Sequence, residues 1–155
     1  MKKIMLVGII GLISGLVIAQ NLEEAEVPGA VKATFAKSFP KAKEVKWTKE
    51  SATEFEAEFE VGEQKQAANF DQNGKWLVTE TVIKNSELPQ PVQATIAKEF
   101  AGYKIEEAEK AESSDTGAFY EVELEKGEMK YEVRLSPEGK VLKKEKMKEK
   151  GDEKD

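Results

Sequence analysis

Two stretches of this chain carry an apolar residue at every fourth position, and each gives way to a stretch that alternates every second residue. Val27, Val31, Phe35 and Phe39 make the first stripe, and Leu88, Val92, Ile96 and Phe100 the second. Apolar residues at that interval share one side of an α-helix, with Lys32, Lys37, Gln93 and Lys98 off it. Pro28 and Pro89 stand at the starts, where a missing backbone N–H costs nothing. The period then drops to two. Glu54 to Val61 reads EFEAEFEV and Tyr120 to Glu125 reads YEVELE, each predicting a strand with one buried and one wet face. Gly62-Glu63 and Gly127-Glu128 predict hairpin turns into strands Gln64–Phe70 and Met129–Leu135. Asp71-Gln72-Asn73-Gly74 and Ser136-Pro137-Glu138-Gly139 predict a second pair of turns, leading to strands Lys75–Val82 and Lys140–Lys146. Ala42–Thr48 and Ile105–Lys110 add one more strand to each set.

The two sets are copies. VPGAVKATFAKSF (27–39) aligns with LPQPVQATIAKEF (88–100) with seven of thirteen positions identical, including Ala33/Ala94 and Thr34/Thr95, which amphipathicity alone does not reproduce. The fold class expected is α+β: two tandem repeats, each one helix packed on a roughly four-stranded antiparallel sheet. Repeat one spans 27–83 and repeat two 88–146, with a lead-in at 20–26, a linker at 84–87 and a charged tail at 147–155. Lobes of roughly 60 residues are marginal alone, so the two are expected to pack together.

Charge and residue types narrow the function. Lys2 and Lys3 precede an apolar run, Ile4 to Ile18, that ends in Val17-Ile18-Ala19, so residues 1–19 read as an export signal cleaved before Gln20. That run falls short of the roughly 20 apolar residues a membrane span needs. Cleavage removes two of 24 basic residues and none of the 30 acidic ones, moving the net charge from -6 to -8. Such a chain suits neither nucleic acid, whose phosphates demand a concentrated basic face, nor a membrane once the signal is gone. The product is expected to be periplasmic or secreted. It has no cysteine and no histidine, which excludes disulfides, thiol chemistry and the usual zinc ligands.

No catalytic residue, metal site or cofactor is assigned, and the chain is read as no enzyme. Glu56 with Glu58, or Glu121 with Glu123, stand two apart on a strand at roughly 6 to 7 Å, within the range of glycosidase carboxylates. A regular exposed stripe gives each the same surroundings, however, whereas acid–base pairs need unequal ones. A solvated sheet face is the better reading. Asp71 to Gly74 opens like a calcium loop, but Val82 stands where the twelfth-position glutamate belongs, so a β-turn is preferred. Trp47 and Trp76 occur only in the first copy, aligned with Lys110 and Val141 in the second. Tryptophans belong first to cores. On the acidic face, either would be an interface anchor.

The segments VPGAVKATFAKSFPKA, KEVKWTKE, EFEAEFEV and NFDQNGKW, with their second-copy counterparts from Val27 to Lys146, resemble the PepSY-like domains of exported bacterial proteins. Those domains are similar in fold to the β-lactamase inhibitory protein. The resemblance implies helix-plus-sheet lobes whose strands form a broad, often concave surface that grips another protein. This chain differs in having no cysteines and a glutamate-rich outer face, and no inhibitory residue carries over. The function expected is an exported, non-catalytic protein that binds a basic protein or peptide, such as an enzyme it inhibits. Glu54, Glu56, Glu58, Glu60, Glu121, Glu123 and Glu125 would supply the field and Trp47 or Trp76 the anchor. The alternative is a small-ligand or divalent-cation-binding envelope protein using the acidic face or an inter-lobe cleft.

Overall fold

The computed structural model describes residues 20–147. The export signal expected at 1–19 and the tail from residue 148 onward lie outside the described residues. A short strand β1 (Gln20–Leu22) is followed by a 3-10 turn (Glu24–Glu26), helix α1 (Gly29–Ser38) and strands β2 (Lys43–Lys49), β3 (Glu54–Val61), β4 (Gln64–Asp71) and β5 (Trp76–Ile83). The same order then recurs: a 3-10 turn (Asn85–Glu87), α2 (Gln90–Glu99), β6 (Lys104–Ser113), β7 (Gly117–Lys126), β8 (Met129–Leu135) and β9 (Val141–Lys146).

The strands hydrogen-bond in chain order, β1 to β9, as one nine-stranded sheet. This corrects the expected fold class of two tandem repeats, each with its own four-stranded sheet. A separate meander ends in an edge strand with unpaired N–H and C=O groups, and continuing the ladder satisfies them. Residue periodicity reports where strands lie but not which edges join.

By their contacts the residues form two compact units. Unit one ends at Thr81 and takes in Glu112–Asp115, and unit two holds Val82–Ala111 and continues from Thr116. In unit one, Val31 and Phe35 of α1 pack on Trp47, Phe55, Ala57, Phe59, Ala68 and Phe70. Phe35 is the hub, its ring edge-on to those of Trp47 (5.1 Å), Phe59 (5.0 Å) and Phe70 (6.3 Å). Tilted and edge-to-face pairs of this kind add about 0.5–1.5 kcal/mol each beyond the area they bury. In unit two, Val92 and Ile96 of α2 pack on Ala108, Val122, Leu124, Val133 and Leu135.

The predicted turns and helix stripes lock together through glycine. Gly74 (φ +82°) and Gly139 (φ +84°) close the last hairpin of their units, and a Cβ on either would run into the first turn of α1 or α2, at Ala30 O or Pro91 O. The Thr95 hydroxyl donates to Gly139 O at 2.6 Å. The repeated threonines, Thr34 and Thr95, both stand against these glycines. Ahead of each helix, the lead-in and linker are 3-10 turns in which Glu26 accepts from Glu23 N–H and Glu87 from Lys84 N–H, both at 2.8 Å.

Candidate functional site

Alternation on β3 sends Phe55, Ala57 and Phe59 to the α1 side and Glu54, Glu56, Glu58 and Glu60 to the other. Register then decides each carboxylate's neighbours. Glu60 faces Lys65 and Lys43, and Glu58 faces Lys46 on one side and Ala67 on the other. Toward the far end of the strand the cations run out. Glu56 lies between Thr48 and Asn69, Glu54 faces Asp71, and Glu80 of β5 pairs with Ala67.

Burial along this row is far from uniform. Glu56 is 3% exposed, while Glu54, Glu58 and Glu60 are half-buried. Loss of hydration, reinforced by the charges of Glu50, Glu80 and Glu58, pushes the Glu56 carboxyl up to about 8 against a weak opposing pull from Asn69. Burial lifts Glu50, Glu54 and Glu58 as well. The solvated, equivalent stripe expected from the sequence is therefore corrected at Glu56, which the fold takes out of water. The shifts at Glu50, Glu54, Glu56 and Glu58 all run upward, and each begins from burial.

In unit two, β7 presents Glu121, Glu123 and Glu125 in the same way. Glu121 is buried and is held by Arg134 of β8, whose Nε and Nη2 donate to Oε2 at 3.0 and 2.8 Å. Glu125 faces Lys130, 3.4 Å away. Between these pairs runs a row of like charge: Glu123 lies directly across from Glu132, and Glu132 across from Glu145. Desolvation, with Glu121 and Glu145, raises Glu132 to about 8 despite Arg134 and Lys143. Glu123 is raised for the same first reason.

Neither tryptophan joins the glutamates. Trp47 is 6% exposed in the unit-one core, and Trp76 packs on the same core with its Nε1 donating to Thr79 Oγ1 at 2.8 Å. The alignment of Trp47 with Lys110 also shifts. The step that carries Val31 onto Val92 carries Trp47 onto Ala108, a buried member of the second core, while Lys110 is exposed. Unit two has its own aromatic group, Tyr103 edge-on to both Phe100 (6.2 Å) and Tyr131 (5.9 Å). On the helix side of unit one, α1 and the β1–β2 edge enclose a groove of about 830 Å³, lined by Leu22, Phe35, Phe39, Val45 and Trp47 with Lys32.

Sequence reasoning passed over Glu50, Asn69, Glu80, Glu132 and Arg134. Asn69 and Arg134 carried a signal, because a polar residue interrupts an otherwise repeated strand at matching positions and differs between the copies.

The family described as "Putative beta-lactamase-inhibitor-like, PepSY-like" matches residues 17–64 and 53–143. No curated protein matches the chain. Among solved structures, a BLIP-like protein from Bacteroides fragilis is similar with a TM-score of 0.68 and 22% identity, over 81% of this chain and 90% of its own. A DUF2874 family protein from Bacteroides ovatus is similar with a TM-score of 0.69 and 24% identity, over 77% of this chain and 86% of its own. A protein from Bacteroides eggerthii named "putative periplasmic" has a TM-score of 0.71 and 20% identity, over 77% of this chain and 88% of its own. At these identities the likeness is one of fold.

Proposed function

From the premise that this chain belongs to the PepSY-like, β-lactamase-inhibitor-like family, we propose that it is an exported, non-catalytic protein that binds a basic protein or peptide across the glutamate face of its sheet. One observation carries the reading. Carboxylates stand directly across from one another at Glu54/Asp71, Glu123/Glu132 and Glu132/Glu145. Like charges in directly opposed positions destabilise a sheet, and a cationic surface laid over them relieves the repulsion. Complementary charge of this kind acts mainly on encounter rate and on choice of partner. The tryptophans play no part in that surface, which rests on charge.

The BLIP-like name of one neighbour supports an enzyme as the partner. The basic start and apolar run of residues 1–19 support export, as does the periplasmic naming of another neighbour. Among the described residues, no helix is long and apolar enough to cross a membrane.

The test is a calorimetric titration of the protein with a lysine- and arginine-rich peptide and with an acidic one, across a salt series. The basic peptide should bind, weaken steeply with salt, and lose about tenfold or more in affinity to a Glu58→Lys, Glu123→Lys variant. No binding at low salt, or binding indifferent to both salt and variant, would refute the proposal.

A second reading rests on the unit-one groove, whose volume and aromatic lining suit a small apolar ligand. Quenching or a shift of Trp47 emission by such a ligand, lost in Val45→Glu, would favour it.

A further inference from the structure

The duplication lets one half of the chain serve as a reference for the other. The step that carries Gly62 onto Gly127 and Gly74 onto Gly139 carries Glu56 onto Glu121, Asn69 onto Arg134 and Glu54 onto Phe119. The geometry matches, since Glu56 pairs directly with Asn69 across β3 and β4, and Glu121 with Arg134 across β7 and β8. The two carboxyls are equally enclosed, 3% and 4% exposed.

Their partners are opposite in character. In unit two the Arg134 guanidinium donates twice to Glu121 and lies 4.2 Å from the centre of the Phe119 ring. In unit one the corresponding residue is an amide that is 1% exposed, and its nitrogen donates to Glu54 Oε1 at 3.2 Å. Among the described residues, Glu56 Oε2 and Asn69 Oδ1 have no hydrogen-bond partner. Buried acceptors left without donors are costly, a carboxylate most of all. Glu50, Glu54 and Glu58 bring further half-buried carboxylates around Glu56, and Glu80 lies buried on the same side. The Asn69 amide nitrogen is spent on Glu54, so the cluster offers oxygens and no cation, and Glu54 adds a carboxyl where unit two has the stacking ring.

We propose that Glu56, Asn69 and Glu54 form a receptor for one guanidinium group, an arginine side chain of the basic partner, seated where Arg134 sits in unit two. The identity of the carrier rests on the functional reading above; the preference for a guanidinium rests on the internal copy. A planar fork of donors satisfies two neighbouring carboxylates and an amide oxygen together, which a point-like ammonium does less well.

The test uses the full chain with acetyl-Gly-Arg-Gly-amide and acetyl-Gly-Lys-Gly-amide as probes, read from the carboxyl ¹³C signals of the glutamates and the side-chain amide of Asn69. The arginine probe should shift Glu56, Glu54 and Asn69 and should bind more tightly than the lysine probe. Asn69→Arg, which supplies the guanidinium from within, and Glu56→Gln, which cannot ionise to pair with the incoming cation, should each weaken it about tenfold or more. Glu128→Gln, in the exposed β7–β8 turn of unit two, should leave it unchanged. Equal binding of the two probes overturns the guanidinium preference, and undiminished binding by Asn69→Arg or Glu56→Gln overturns the site. Should Asn69→Arg fail to fold, Glu56→Gln still decides. A long basic peptide that binds both variants like the wild type would sink the receptor and spare the functional reading. A wild type that takes the arginine probe at Glu56 but no basic peptide would do the reverse.

Discussion

Replacing Glu56 by glutamine should stabilise this protein near neutral pH, the opposite of what changing a buried residue usually does. The carboxyl is raised from 4.5 to about 8, first by burial and then by Glu50, Glu80 and Glu58. The folded state therefore holds the proton more tightly than the unfolded chain does. Below 4.5 both states are protonated and the residue is neutral in effect. As pH climbs from 4.5 toward 8 the unfolded chain ionises while the folded one resists, and stability falls throughout that window. Each unit is worth about 1.4 kcal/mol, so the loss reaches about 3 kcal/mol at pH 7 and about 5 kcal/mol above pH 8. Glutamine keeps the shape, carries no charge, and brings an amide nitrogen that can donate to Asn69 Oδ1. Urea unfolding from pH 4 to pH 9, with m-values compared to exclude a change in the unfolded chain, should give superimposable midpoints near pH 4. The variant should be more stable by about 3 kcal/mol at pH 7. Glu132, also raised to about 8, leaves a residual slope of the same sign in both proteins. A difference that does not change with pH, or a variant less stable than wild type at pH 8, would show that Glu56 is ionised and compensated, and the reasoning would fail.

Arg134→Met should behave in the contrary way, because it leaves the buried Glu121 without the cation that donates to it at 2.8 and 3.0 Å. A loss of about 3–5 kcal/mol in denaturant unfolding is expected, and a loss under about 1 kcal/mol would mean that the pair contributes little to the fold. Gly139→Ala and Gly62→Ala separate collision from conformation. Both glycines have positive φ, but a Cβ at Gly139 meets Pro91 O and Thr95 Oγ1 whereas one at Gly62 meets nothing within 4 Å. The Gly62 change should cost about 1 kcal/mol and the Gly139 change at least twice that. Equal shifts in thermal midpoint would remove the helix contact from the account.

The helices and most strands were legible because single-residue periods depend on which face is dry. The four-residue stripes of α1 and α2 and the alternation of EFEAEFEV carry that information directly. The joining of all nine strands into one sheet was not, since edge pairing is decided by backbone groups that every residue shares. Glu56 was read as wet for a similar reason. Alternation tells which side of a strand a residue takes, not how deeply that side is covered, and Glu56 and Glu60 look alike in the sequence while the fold separates them. Trp47 has no single counterpart in the sequence, since the step that matches the helices sets it on Ala108, the step that matches the turns sets it on Glu112, and Lys110 falls between the two. Asn69 and Arg134 were within reach of that comparison. Identities between the copies report the hinge of glycine on helix; the difference at one matched position, amide against guanidinium, reports chemistry.

The contact of Gly139 with the start of α2 also bears on the order of events in folding. Thr95 and Gly139 are 44 positions apart, yet their hydrogen bond joins the second turn of the helix to the last hairpin of unit two. Such a closure has to await the chain between them, and its entropy is spent before the contact returns anything. During synthesis, α2 emerges well before the residue that fastens it, so unit two stays open until Gly139 has been made. A polypeptide truncated before the β8–β9 turn would carry every residue of the helix and still lack the clasp that holds it to the sheet.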